Sequence, residues 1–461
     1  MTFKTIGDFV ELQRGTTYKS SLLGLPGPYL LGLGSIGRDG GFRDEKLKTY
    51  GGTSAEKILV HPGDIYVSLK DVTQNGDLLG AVAKVPPSIK VGRLTQDTVK
   101  LIFKNKIDEN YFYWVLRTPQ YRDYCRSHAT GTTNLGLARE DFFKFRIPEL
   151  TVNRSRIATV LNGIEKKIEA NLAINSTLES LAQILFKSWF INFEPVKDKI
   201  AVLEAGGSQE EATLAAMTAI SGKDADSLAV FEREHPEKYA ELKATAESFP
   251  SAMQNIESIK IPEGWRLVPL SNIASFASGK INVSELTKDT YISTENMLVN
   301  KMGIECATSL PSANTTPSFK PEHILISNIR PYFKKIWLAR FLGGRSADVL
   351  AFEHKKHITS EYLYNILYQD SFFDFMMQTS KGVKMPRGDK KAIMEWSCIE
   401  PTIELVSLFS NKVKEFYSYI ESHNRENIQL SQFRDTLLPK LFSGEITRPD
   451  AKEIAKEADY V

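Results

Sequence analysis

The chain has 461 residues, 42% of them apolar and 25% charged, the balance of a globular protein with room for two or three cores rather than of a disordered or fibrous one. No apolar run reaches the roughly 20 residues of a membrane span, and Met1-Thr2-Phe3-Lys4-Thr5 lacks the basic stretch and apolar core of a secretory signal, so a cytoplasmic location is expected. Cys125, Cys306 and Cys398 lie far apart, offer no zinc-ligand spacing and read as free buried thiols, so no metal site is expected.

The net charge of +2 is unevenly spread. Positions 201–257 hold eleven Asp and Glu against four Lys and Arg, a local net of −7 that leaves +9 for the remainder. Such a surplus is compatible with a polyanionic partner without demonstrating one.

In chain order, Val60 to Val67 reads as a strand entered through a Pro62 turn, followed by another at Ala81-Val82-Ala83. Apolar and aromatic residues at helical spacing predict one helix over 108–126, flanking the sheet. Ile157, Leu161, Ile164, Ile168, Asn171, Asn175, Leu178, Ala182, Leu185 and Trp189 then step alternately by four and three. That is a heptad seam, which Pro195 is expected to end. The acidic stretch carries a capping box at Ser208 and Glu211 and a proline-initiated helix at Pro236. A helical insertion or a mobile linker is expected there, with no contact to a polyanion because like charges repel.

Strands return at Ile324 to Ser327 and Ile336-Trp337-Leu338, with a helix over 359–378. A second seam follows: Phe409, Val413, Phe416, Ile420, His423, Asn427, Leu430, Arg434, Leu437 and Leu441, each displaced by 252 from the first. Pro439 is expected to kink or stop this helix and leave Leu441 outside the regular seam.

The second half thus repeats the first, and the duplication extends beyond the helices. Lys4-Thr5-Ile6-Gly7-Asp8-Phe9-Val10 reappears as Val268-Pro269-Leu270-Ser271-Asn272-Ile273-Ala274. Tyr29 through Phe42 aligns with Tyr291 through Ile304, and His61 through Ser68 with Lys320 through Ser327. An α+β fold class follows: two similar mixed α/β domains joined by two long helices that form an antiparallel coiled coil, in a pseudo-twofold internal repeat. Helices of this length reach on the order of 50 to 60 Å. Paired with ends flush, they set Asn171 beside Asn427 and Asn175 beside His423. A one-heptad slip would bury those groups against Leu or Ile at roughly 1–3 kcal/mol each, so the polar layer is expected to fix register. The expected boundaries are 1–148 for the first domain, 149–195 for its helix and 196–260 for the acidic insertion. They continue with 261–401 for the second domain, 402–445 for its helix and 446–461 for a tail.

Motifs of catalysis are missing. Gly32-Leu33-Gly34-Ser35-Ile36-Gly37 matches G-x-G-x-x-G, but the turn formers after it are no helix N-terminus to hold a pyrophosphate. His354 and His357 have no carboxylate or thiol at ligand spacing. The chain has no Asn- or Asp-Pro-Pro-Tyr or -Phe tetrapeptide of an adenine methyltransferase, no Walker A sequence and no convincing nuclease cluster. Two copies of a domain without such motifs point to binding rather than turnover.

The stretch Ile324-Leu325-Ile326-Ser327-Asn328-Ile329-Arg330-Pro331-Tyr332-Phe333-Lys334-Lys335-Ile336 resembles the core of the target-recognition domains of type I restriction-modification specificity subunits. Ile261-Pro262-Glu263-Gly264-Trp265 with Val268-Pro269-Leu270 resembles the start of that family's second domain. Ala129 through Leu135, leading to Phe145-Arg146-Ile147-Pro148, resembles its closing segment. Ile168 through Phe190 and Leu430 through Leu441, with Ser443-Gly444, are similar to its two spacer helices. The likeness covers nearly the whole chain apart from the acidic insertion. It departs at the second closing loop, where Ser380-Lys381-Gly382-Val383-Lys384-Met385-Pro386-Arg387-Gly388 replaces a small, hydroxyl-rich segment with a more basic one.

The resemblance implies a subunit without catalysis of its own that reads a bipartite, asymmetric DNA site for host defence. It implies two methylation subunits and up to two restriction (motor-nuclease) subunits as partners, with S-adenosylmethionine, ATP and Mg on those partners and no cofactor in this chain. Base readout needs donors and acceptors on groove-entering loops, and phosphate contacts need cations or small hydroxyls. In the first domain the candidates are Ser35, Arg38, Lys70, Thr73, Gln74 and Asn75, with Thr132, Thr133 and Asn134 on the backbone. In the second they are Thr294, Asn296, Asn328, Arg330, Tyr332, Lys334 and Lys335, with Lys381, Lys384 and Arg387 on the backbone. Asp71 and Asp77 beside the first loop are expected to repel phosphate. Two other readings stay open from sequence: a self-contained methyltransferase or nuclease with a divergent site, and an assembly scaffold that never reads DNA.

Overall fold

A computed structural model describes residues 4–444 apart from 39, 45, 46, 73–75, 105, 106, 133 and 383. The expected tail lies outside the described residues. The chain divides into two compact units, Met1–Asn171 with Arg425–Val461, and Leu172–Asn424. Among the described residues no helix is long and apolar enough to cross a membrane.

In the first unit, strand Lys4–Thr5 pairs antiparallel with Arg146–Ile147, lacing the start of the domain to its end. A four-stranded antiparallel sheet runs in the order Val10–Arg14, Thr98–Phe103, Ile65–Ser68, Val82–Lys84. Ile65–Ser68 is buried along its whole length, which suits an interior strand of β-branched and aromatic residues. The strand expected from Val60 to Val67 is two, because His61 donates its amide to the Asp64 carboxylate (2.7 Å) and turns the chain. The helix expected over 108–126 is also two, Glu109–Val115 and Pro119–Ser127. Thr118 accepts from the Tyr121 amide, and Pro119 presets the first-turn φ, so a new helix starts where the pattern looked continuous.

The second unit repeats this order with Ala274–Phe276, Val349–His354, Ile324–Ser327 and Ile336–Leu338, and closes with Arg266–Pro269 against Ser397–Glu400. Helices Ser360–Leu367 and Asp370–Gln378 again replace one expected helix. The correspondence reaches single residues. Arg93 pairs beside Leu30 in a parallel strand pair of one unit, as Arg345 does beside Ile292 in the other. Both are buried, and burial lowers the pKa of each. Carbonyls accept from both, those of Thr16 and Thr17 for Arg93, whose buried Nε is left without a partner, and those of Ser318, Val349 and Ala277 for Arg345.

The acidic segment is folded rather than a mobile linker. The first long helix stops at Phe190, Phe193 turns in the left-handed region (φ 56°), and Pro195 opens helix Glu194–Glu204 instead of merely ending its predecessor. Helices Gln209–Ser221, Ala225–Glu234 and Pro236–Glu247 follow, the first with its Ser208–Glu211 capping box. Their apolar faces join the core formed by Trp189, Phe190, Trp265 and Phe409. Of the cysteines, Cys125 and Cys398 are buried, but Cys306 is exposed, contrary to the sequence reading.

The long helices are Val152–Phe190 and Ile403–Ser443, and the division between units falls inside both. In the first unit they pair antiparallel: Ile157 and Leu161 share a core with Leu438 and Leu441. Pro439 does not stop the second helix, which runs on through it to Ser443. Leu441 is fully buried, and Arg154 donates to the carbonyls of Leu441, Phe442 and Ser443 at 3.2, 3.0 and 3.1 Å. This packing and capping compensate for the one amide that proline lacks. Asn171, fully buried, donates to Asn427 Oδ1 (2.9 Å) and Glu426 Oε2 (2.8 Å). In the second unit Asn175 donates to Asn424 Oδ1 (3.0 Å), its own Oδ1 lies 2.8 Å from His423 Nδ1, and the Trp189 and Phe409 rings meet at 6.0 Å.

Asn427→Leu alone leaves the buried Asn171 amide short of an acceptor and is expected to cost about 1–3 kcal/mol in chemical denaturation. Asn171→Leu with Asn427→Leu should recover most of that loss but admit a second helix register, detectable as a broadened spin-label distance distribution. A single sharp distance in the double variant would deny the layer any role in register.

The seat of each domain on its helix differs between units. In the first, Arg117 donates to Glu165 Oε1 (2.5 Å) and Tyr113 (3.1 Å), and Trp114 Nε1 to Asn162 (2.8 Å). In the second the groups are neutral: Gln183 donates to Asn365 Oδ1 (2.6 Å), Asn365 to the Tyr417 hydroxyl (2.8 Å) and Gln369 to Gln183 (2.9 Å). Half-buried Glu179 lies one turn away, and burial pushes its carboxyl up to about 7 against the pull of Arg340. A carboxyl raised in the fold favours folding while protonated, so this contribution fades as pH climbs from 4.5 towards 7. Glu179→Gln is therefore expected to raise the melting temperature more at pH 8 than at pH 5; equal shifts at both would show that the carboxyl is not protonated in the fold.

Candidate nucleic-acid interface

In each unit one inner strand of the main sheet runs into a candidate loop, and backbone pairing ties a second loop to it. In the first unit Lys70–Asp71 is the edge of a three-stranded sheet with Leu135–Leu137 and Ala129–Thr130. Asp71 pairs with Leu135 and Lys70 with Gly136. Gly131 turns there at φ 99°, where a Cβ would stand 2.4 Å from the Asn134 carbonyl oxygen. Thr132 and Asn134 are exposed. Lys70 is exposed and pairs with Asp97 at 3.2 Å; Arg38 is exposed, with its Nε 3.9 Å from Asp77. Thr73, Gln74, Asn75 and Thr133 lie outside the described residues.

Two residues that hold this site were missed or misread in the sequence. Asp71 is buried, and its carboxylate accepts from the Leu78 and Leu79 amides at 2.6 and 3.2 Å, so it shapes the loop instead of facing phosphate. Arg122, also buried, donates to the carbonyls of Leu79 (2.6 Å), Arg38 (3.2 Å) and Asp77. A guanidinium with five donors can brace two loops at once, but nothing in the sequence around Arg122 marks which carbonyls it will meet.

In the second unit the same seam is made by Ile329 and Lys381, each bridged to Arg387. Arg330 donates its amide to the Pro386 carbonyl (2.8 Å), and Gly388 donates to the Asn328 carbonyl (3.2 Å). Arg330 and Lys334 both take the left-handed region, at φ 50° and 49°, on either side of the turn Pro331–Phe333. Non-glycine residues adopt that conformation at a cost and only where the surroundings enforce it. Here the Asn300 and Lys301 amides grip the Phe333 and Lys334 carbonyls, both at 2.8 Å. Tyr332 is 48% exposed at the tip, and Arg330 is half-buried. Lys334 pairs with Asp370 (3.0 Å), Lys381 with Asp389 (2.5 Å), and Arg387 forms a forked pair with Asp348 (3.0 and 3.2 Å) that raises its pKa. Lys335 donates to the Thr294 carbonyl (2.6 Å), while Lys384 is exposed.

Three candidates are corrected by burial. Ser35 bonds Gly32 and Tyr66 (2.7 and 2.8 Å), and the glycine motif around it forms a short 3-10 turn with no phosphate cradle. Asn296 donates to the Tyr291 and Glu305 carbonyls (3.0 and 2.9 Å) and accepts the Ser293 amide (2.6 Å). Asn328 is buried and donates to the Gly388 carbonyl (3.2 Å), tying the two loops together. These short polar side chains bond local backbone, as Ser and Asn in turns commonly do. Thr294 is half-buried. The other described candidates surround the two seams with exposed or half-exposed cations, hydroxyls and amides, the functional groups that phosphates and base edges accept.

Two α+β domains of one topology, each seated on paired long helices, define the fold of a type I restriction-modification S subunit. The solved S subunit from M. genitalium matches over 96% of both chains with a TM-score of 0.50 and 16% identity. In sequence the chain is 28% identical over 317 residues to the type I restriction enzyme HindI specificity subunit of Haemophilus influenzae, spanning 64% of this chain and 67% of that one. It is 22% identical over 369 residues to the MjaIX specificity subunit of Methanocaldococcus jannaschii, spanning 75% and 71%. The chain is a homologue of the type I restriction-enzyme specificity subunits. No protein-family model matches it.

Lys384→Ala is expected to weaken duplex binding about equally on all sequences and to reduce the slope of log affinity against log salt by about one. Arg330→Ala should weaken binding to one half-site by roughly tenfold, within the 1–3 kcal/mol of a lost base contact, and spare the other. Equal losses on target and unrelated DNA, measured by fluorescence anisotropy, would mark Arg330 as a phosphate contact.

Proposed function

We propose that this chain is the DNA-reading specificity subunit of a type I restriction-modification complex and does no chemistry itself. Its two domains each read one half of a split target, and partner subunits methylate adenine or cleave under its direction. The observation that carries the reading is one backbone seam built twice with different exposed or half-exposed side chains. Lys70, Thr132 and Asn134 stand on the first, and Arg330, Tyr332 and Lys384 on the second. Like scaffolds bearing unlike donors and acceptors favour two different half-sites, hence an asymmetric target. The names of the curated relatives support the same assignment.

On this reading the chain's own work is recognition. Lysines and hydroxyls on the seams hold phosphates and fix register on the duplex, while side chains at the loop tips meet base edges in the groove. Two methylation subunits and up to two restriction subunits are the proposed partners; they carry the S-adenosylmethionine, ATP and Mg. The gap between half-sites is assigned to the paired helices.

Genome-wide methylation profiling with and without the gene is expected to reveal one bipartite motif that vanishes with the chain. Purified chain given labelled S-adenosylmethionine and DNA should transfer no methyl group until a methylation subunit is added. Transfer by the chain alone would overturn the assignment.

A further inference from the structure

Three exposed apolar side chains stand on segments joined at the second unit's seam: Met302 at 48%, Tyr332 at 48% and Met385 at 44% exposure. They are bound into one platform through the backbone. Met302 follows Lys301, whose amide holds the Lys334 carbonyl, and Met385 precedes Pro386, whose carbonyl holds the Arg330 amide. The two methionines therefore flank the opposite ends of the turn that carries Tyr332. Pro331 is buried beneath that turn, and left-handed Arg330 and Lys334 fix its ends. An aromatic ring held this way loses little freedom on binding, and two thioether chains beside it can adapt their shape.

At the core of a protein-docking face charge is depleted, Lys, Asp and Glu above all. Here Arg330, Lys334, Lys381, Lys384 and Arg387 stand among them, with Asp348, Asp370 and Asp389 each already paired to a cation. An apolar crown inside a basic rim is complementary to a groove whose floor has methyl groups and whose walls are phosphates. In the major groove the apolar group on a base edge is the C5-methyl of thymine. Among the described residues the first unit's seam offers less of this character, with Val72 exposed two positions after Lys70 and with Thr132 and Asn134.

We propose that Tyr332, with Met302 and Met385, reads thymine by its methyl group, so that the half-site of the second domain contains thymine under this platform. The proposal rests on the DNA-reading function above. The test uses the chain assembled with its methylation partner on duplexes carrying the profiled target, with each second-half thymine replaced singly by uracil. At one or more positions the loss of the methyl should weaken binding roughly three- to tenfold, the scale of one buried methyl or slightly more. Tyr332→Phe should keep that difference, and Tyr332→Ala or Met385→Ala should reduce or erase it while leaving the circular-dichroism spectrum unchanged. If wild type prefers target over scrambled duplex yet treats thymine and uracil alike everywhere, the methyl reading is overturned and the DNA-reading function stands. It is likewise overturned if the difference persists in both alanine variants. Failure to prefer target over scrambled duplex would remove both.

Discussion

A buried amide in an apolar helix seam has few places to be. Asn171 is fully buried, and its donors find Asn427 and Glu426 in one register of the two helices. Any slide that keeps the leucines packed takes those acceptors away. Hydrophobic seams alone are nearly periodic and tolerate a shift of one heptad, whereas a hydrogen-bonded layer does not. Asn175 with His423 and Asn424 imposes the same restriction within the second unit. Each domain's seat on the helices has meaning only once this pairing is fixed.

On that foundation the domains divide labour between backbone and side chain. Main-chain hydrogen bonds hold the seams, with Asp71 and Arg122 bracing one and Asn328 the other. Exposed tips such as Asn134 or Tyr332 bear none of the fold's main load. Exposed loops can therefore differ in chemistry while the sheet beneath keeps its order, which is how one duplicated domain comes to present two unlike surfaces.

The helices were the most legible part of the sequence because a heptad read across many turns averages out local exceptions. Local punctuation was less so. Pro439 reads as a kink or a stop, yet the helix continues past it, with Leu438 and Leu441 packed and Arg154 on the last carbonyls. Thr118-Pro119 hid a helix start within an apolar run. At the candidate interface the loops could be recognised, but the direction of each side chain could not. Ser35, Asn296 and Asn328 look like readers in the sequence because the groups that read bases are the same groups that cap turns. Burial decides between the two roles, and burial is set by strands far away in sequence. Arg93 and Arg345, each bonded to carbonyls from distant segments, were invisible for the same reason.

The unlike seats have a bearing on modular exchange. Arg117 and Glu165 join domain to helix by an ion pair in the first unit, where the second unit uses Asn365, Gln183 and Tyr417. A graft of the first domain onto the second helix seat would carry a buried guanidinium away from its carboxylate, and breaking a buried pair typically costs about 3–5 kcal/mol. The duplicated halves are thus no longer interchangeable parts. New specificities built by recombination would have to exchange each domain together with its own stretch of helix, or only the loop tips above an unaltered seat.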